Sequence, residues 1–152
     1  MRGAWLIGLA LAAAEPASAQ IFFAAGFSGA FTRAVALGPD DAVVGCRASA
    51  RMAGGRAVAL ERWRDEPTPR VWLQSDSSFD IHMTRFDVVA DGHVYPLRAP
   101  QAPEPGARRL TPEARDALLS ARDAAIDVQG YRVALPQGLP DALRFVTRCP
   151  SG

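Results

Sequence analysis

The sequence predicts an α+β or mostly β domain, a small antiparallel sheet or sandwich with two short helices near the C-terminus. Three observations carry that expectation. Asp91-Gly92 and Gln129-Gly130 each sit between runs that alternate apolar and polar residues, the pattern of tight hairpins. Thr111-Pro112 places a hydroxyl where a helix N-cap belongs and a proline where the first helical residue belongs, so no needed backbone donor is lost. Leu139, Ala142, Leu143 and Val146 recur at the spacing of one helical face and lead directly to Cys149.

The chain has 152 residues and a formal net charge of +1. Its first nineteen residues carry Arg2, an apolar run from Ala4 to Ala14 and the small-residue ending Ala17-Ser18-Ala19, the layout of a secretory signal cleaved before Gln20. Glu15 and Pro16 interrupt the apolar stretch, and no cysteine stands near the cleavage point for lipid attachment. The expectation is a periplasmic or secreted protein with no stable membrane anchor, in which residues 20–152 form a single domain large enough for its own core.

From Gln20 to Gly38 the chain is apolar, and Phe31, Ala34 and Val35 fit either a strand or the start of a helix. Gly26-Phe27-Ser28-Gly29-Ala30 has the outline of a nucleophile elbow but ends in alanine where that motif needs glycine, and no strand is evident before it. A flexible N-terminal segment is the expectation there. Asp40 to Met52 reads as a helix capped by Asp40 or as a strand through Val43, Val44 and Cys46, and Gly54-Gly55 favours a hairpin into Arg56–Trp63. The stretch 65–69 is a polar, proline-stiffened connection. After it Val71 and Leu73 face one way, Trp72 and Gln74 the other. The run from Phe79 to Ala90 changes phase near Thr84-Arg85, which suggests a bulge. Beyond it the Asp91-Gly92 turn pairs Ala90 with His93, Val88 with Tyr95 and Phe86 with Leu97. Residues 99–109 hold three prolines and read as an extended loop.

In the C-terminal part, Ala114, Ala117, Leu118 and Ala121 form the buried side of the first helix. The Gln129-Gly130 turn pairs Val128 with Tyr131 and Ile126 with Val133, four side chains on one face. The second helix then brings Cys149 to the core.

Composition excludes several chemistries. All seventeen cationic side chains other than histidine are arginine. Without lysine there is no Schiff base, no P-loop lysine and no Ser-Lys pair. The near-neutral charge and the absence of a basic run argue against nucleic acid as a partner. Cys46 and Cys149, an even pair in an exported chain, predict a disulfide closing about a hundred residues, worth on the order of 4–5 kcal/mol in the chain-entropy model. A metal centre would need both cysteines together with His82 and His93, without any ligand pair at the usual spacing. The two histidines, beside Asp80 and Asp91, lie roughly 26 Å apart along an extended strand, too far for one His/Asp site. The sequence therefore predicts no catalytic, cofactor-binding or metal-ligating residue. Trp63 and Trp72 flank the acidic connection as a candidate contact surface, with core packing as the competing role. Arg108-Arg109 are candidates to grip a carboxylate or phosphate on a partner.

One resemblance extends over the C-terminal half. The Asp91-Gly92 hairpin, a polar loop, a helix carrying Leu118-Leu119-Ser120-Ala121-Arg122, a short strand, and Val133-Ala134-Leu135-Pro136-Gln137-Gly138-Leu139-Pro140-Asp141-Ala142-Leu143 resemble the invasion-associated locus B-type exported bacterial proteins. The resemblance implies a small β-rich periplasmic domain with no established enzyme chemistry and carries over no functional residue. The functional expectation is a non-catalytic interaction module whose partner is another envelope protein or a small ligand. The alternatives are an exported hydrolase or a carrier of small apolar ligands. A deep cleft with converging polar groups would mark the hydrolase, an enclosed apolar cavity the carrier, and an exposed aromatic patch the interaction module.

Overall fold

The computed structural model describes residues 21–75, 86–97 and 107–149. The signal-like residues 1–19, the proposed bulge at Thr84-Arg85, His82 and most of the proline-rich loop lie outside the described residues. The architecture is mostly β, with two antiparallel sheets and two short helices.

The larger sheet has the order β1-β2-β3-β4-β5-β8, formed by β1 (Phe22–Ser28), β2 (Phe31–Leu37), β3 (Val43–Arg51), β4 (Arg56–Trp63), β5 (Arg70–Ser75) and β8 (Ala107–Arg109). The smaller has the order β10-β9-β6-β7, formed by β6 (Phe86–Ala90), β7 (His93–Tyr95), β9 (Ala124–Val128) and β10 (Tyr131–Ala134). Helix α1 spans Pro112–Ser120 and α2 spans Leu139–Thr147.

The N-terminal stretch corrects the expectation of a flexible segment. Gln20 to Gly38 supplies two paired strands, with Phe22 opposite Ala36 and Ser28 opposite Phe31. The Asp40–Met52 alternative resolves as strand, and the hairpin through Gly54-Gly55 forms as the paired glycines suggest, both with positive φ. Ala107–Arg109, expected as the end of a loop, instead pairs with β5. The Asp91-Gly92 turn pairs Ala90 with His93 and Val88 with Tyr95 as expected, but the ladder stops before Phe86 and Leu97 meet. Pro96 has no N–H to donate, so the strand ends at Tyr95. Leu97 N–H turns to Asp87 Oδ1 at 3.3 Å, and Phe86 pairs with Val128 of β9. The Gln129-Gly130 hairpin has the predicted register throughout, and both turn residues have positive φ (54° and 86°), as a type I′ turn requires.

Helix α1 begins as its sequence dictates, with Ala114 N–H donating to Thr111 Oγ1 at 3.1 Å and Pro112 in the first turn. Its buried residues are Ala114 and Leu118. Helix α2 buries Leu139, Ala142, Leu143 and Val146, the four positions its spacing assigns to the core. It lies against β3 and β4, and α1 packs on both α2 and β6. One apolar cluster therefore joins the two sheets through the helices, from Phe31, Val58 and Leu60 to Phe86, Val88 and Ile126.

The start of α2 docks on the β1–β2 turn by backbone contact. Ala30 N–H donates to Gln137 O at 3.0 Å. A Cβ on Gly138 would lie 2.1 Å from Ser28 O, and one on Gly29 would lie 2.6 Å from Gln137 O. Both residues have positive φ as well, so glycine is required twice over, by space and by backbone conformation.

Candidate functional site

Cys46 on β3 and Cys149 just after α2 form the expected disulfide, with Cα atoms 5.7 Å apart and both residues buried. The bridge ties the end of the second helix to the middle of the large sheet.

The other sequence-predicted residues divide between the two faces of that sheet. The register aligns Arg47, Glu61, Arg70 and Arg109 in one row across β3, β4, β5 and β8, on the face that also carries Trp63 and Trp72. Arg108 alternates to the opposite face, where its guanidinium lies 5.5 Å from the Phe86 ring centre, between the sheets. Trp63, Trp72 and Arg109 thus share a surface that Arg108 does not join.

That surface is organised by a carboxylate whose residue is only 2% exposed. Glu61 accepts from Arg47 Nε at 2.9 Å and Nη2 at 2.6 Å, accepts from Trp63 Nε1, and has Arg70 Nη2 at 3.6 Å. Arg70 Nε lies 2.9 Å from Glu66 Oε2. Arg47 also covers the Phe22 ring at 3.9 Å, and Phe22 meets Trp63 with ring centres 5.5 Å apart. Trp63 lies over Gly45, whose missing side chain makes room for the indole. Both oxygens of Glu61 are engaged by donors, so the cluster is built to compensate buried charge rather than to hand over a proton.

A different region is open. Helix α2 lies against β3 and β4 and also meets β1 and β2, where Ser28 and Phe31 are buried, but Phe23 and Leu37 stay exposed. A groove of about 900 Å³ is lined by Ile21, Phe23, Leu37, Val44, Trp63 and Arg64, among others, and a second of about 600 Å³ by Phe27, Arg33, Val35, Val43, Phe145 and the disulfide. The register joins them. Phe23, in the first, is the cross-strand partner of Val35, in the second, and Leu37 of the first is the partner of Val43 in the second. Two exposed phenylalanines of β1 border these grooves from opposite faces of the sheet, Phe23 at 50% exposure on the α2 face and Phe27, the partner of Thr32, at 72% on the other.

Charge is unevenly spread along this trough. The part beside α2 holds Arg33, Arg144 and Arg148 with Asp141, and the other part holds Arg64 with Asp41 and Asp65. Arg144 Nη1 donates to Asp141 Oδ1 at 2.8 Å. Arg33 lies 5.3 Å from the Phe145 ring centre, and its Nε is sealed from solvent with no acceptor among the described residues. Trp63 is the one sequence-predicted contact residue in the lining, and it reaches the first groove from the opposite face of the sheet, beside Phe22. The rest went unrecognised because they come from β1, β2, β3 and α2, separated by more than a hundred positions. The nearest signal was the phenylalanine-rich run Phe22, Phe23, Phe27 and Phe31, which no single buried face accommodates, because Phe22 and Phe27 point to one side of the sheet and Phe23 and Phe31 to the other.

Among the described residues no group of three or more His, Cys, Asp or Glu side chains is arranged to hold a metal ion, and no helix is long and apolar enough to cross a membrane. His93 is exposed on β7. Compared with protein-family models, with curated proteins and with solved structures, the chain finds no match.

Proposed function

We propose that the chain is an exported, non-catalytic interaction module whose partner is another protein of the bacterial envelope. The single observation behind this reading is the pair of exposed phenylalanines Phe23 and Phe27, one on each face of the unpaired edge strand β1, since large apolar side chains left open along such an edge mark a contact site. The trough is open along its length rather than enclosed, which favours a polypeptide over a small apolar ligand. Export rests on the signal-like start and on the Cys46–Cys149 bridge, which belongs to oxidising compartments. Kinship with the invasion-associated locus B-type proteins rests on the run from Val133 to Leu143 and is part of the same proposal.

Site-specific photo-crosslinking in living bacteria tests it. A benzophenone amino acid placed at Phe23 or Phe27 should give an adduct of defined mass, whereas the same group at Tyr131, equally exposed on the smaller sheet, should give none. Adducts of equal yield at all three positions, or at none, would refute the reading.

A further inference from the structure

We infer that the edge of β1 receives an extended segment of the partner in which apolar and acidic residues alternate, its backbone added to β1, its carboxylates on the α2 face against Arg33 and Arg148 and its apolar side chains on the other face beside Phe27. This rests on the interaction-module reading and names the chemistry of what is bound.

The first support is the edge. Strand β1 has seven residues and pairs on one side with β2, and no strand among the described residues pairs with its other side. Sheet edges are commonly guarded by charge, proline or bulges. Phe22–Ser28 carries no charged residue and no proline, and its irregularity is confined to the register shift between Ala24 and Gly26. Main-chain groups on such an edge are a template for an added strand, and the apolar pockets beside it then select alternate side chains.

The second support is charge. The part of the trough beside α2 holds three guanidiniums against one carboxylate, and Arg144 already engages that carboxylate. Arg33 and Arg148 have no carboxylate partner among the described residues. On the opposite face of the same sheet, by contrast, Arg47 and Arg70 are matched by Glu61 and Glu66. The part of the trough beside α2 therefore carries more positive than negative side chains. Guanidinium prefers the paired oxygens of a carboxylate. Arg33 is also held in place by its stacking on Phe145, so less side-chain freedom is lost when it takes an acceptor.

The probes are a fluorescent, acetylated octapeptide alternating valine with glutamate, its twin with lysine in place of glutamate, and laurate. Fluorescence anisotropy should show the glutamate peptide binding at least about tenfold more tightly than the lysine twin, as two charge-assisted contacts imply. Amide hydrogen exchange should slow in β1 when it binds. Combining Arg33→Gln with Arg148→Gln should remove the preference, and Arg148→Glu, at an exposed position with little bearing on folding, should weaken binding on its own while leaving the melting temperature unchanged. Equal binding of the two peptides, binding without protection of β1, or binding of laurate alone would each overturn the inference. Crosslinks from Phe23 that persist where neither peptide binds would also overturn it, and would leave the interaction module standing.

Discussion

Removing the Cys46–Cys149 bridge should cost this domain a large part of its stability. The two residues are 103 positions apart, so the bridge closes everything from β3 to the end of α2 into one loop. For a loop of about a hundred residues the chain-entropy model assigns about 4.7 kcal/mol to restriction of the unfolded state. Both cysteines are buried, at 2% and 4% exposure. Replacing them with alanine also leaves two small voids, each worth on the order of 1 kcal/mol. The double variant Cys46→Ala/Cys149→Ala should therefore lose about 4–6 kcal/mol of a total that for domains of this size is about 5–15 kcal/mol. Urea unfolding followed by tryptophan fluorescence measures this directly, because Trp63 and Trp72 sit on the large sheet. A second signature separates the entropic account from lost packing. Without the crosslink the unfolded chain expands further, so the dependence of stability on urea should steepen. A loss below about 1 kcal/mol with an unchanged slope would refute the reasoning.

Glu61→Ala should cost about 3–5 kcal/mol in the same assay, because it strips Arg47 and the buried Arg70 of a counterion, and a loss under about 1 kcal/mol would mean that Glu66 and solvent suffice. Gly138→Ala should cost more than about 3 kcal/mol or prevent folding, since its Cβ would strike Ser28 O, whereas Gly130→Ala meets nothing within 4 Å and should cost only the backbone strain of about 1–2 kcal/mol. Equal losses in the two melting curves would deny the close approach of the β1–β2 turn to α2. Thr111→Ala should remove the α1 cap for about 1 kcal/mol, read as a shift in the urea midpoint.

The elements that were legible in the sequence are those whose local signals agree with one another. At Gln129-Gly130 the turn residues and the alternation of Ile126, Val128, Tyr131 and Val133 point to one register, and that register forms. Thr111-Pro112 and the spacing of Leu139 to Val146 are similarly self-contained. Failures occur where a longer-range fact overrides a local one. Pro96 truncates the hairpin that the phase of Leu97 would extend, and Ala107–Arg109 is too short for alternation to show although Ala107 is fully buried. In β1 and β2 the period of two is blurred because apolar residues stand on both faces, Phe22 against Trp63 and Phe23 towards the trough. The conspicuous residues Trp63, Trp72, Arg108 and Arg109 drew attention to a surface most of which is committed to the Glu61 cluster. The trough itself depends on how strands and helix are assembled, and no window of sequence contains it.

The position of the trough follows from the dimensions of the parts. A helix with its side chains is about 10 Å across, and strands in a sheet are spaced about 4.8 Å, so one helix shields about two strands. Helix α2 is fixed at two points, the Gly29–Gly138 backbone contact on the β1–β2 turn at its start and the disulfide to β3 at its end, and lies most closely against β3 and β4. On the β5 and β8 side the smaller sheet reaches the remaining surface, as the contact of Arg108 with Phe86 records. On the β1 and β2 side the smaller sheet makes no such contact among the described residues and α2 meets only part of the surface, so Phe23, Val35 and Leu37 stay partly open. A longer second helix would not close that gap, because α2 lacks breadth rather than length. An added strand on β1 would instead extend the sheet past this edge, bringing the backbone partners that β1 lacks and side chains that pack beside Phe23 and Phe27 on its two faces.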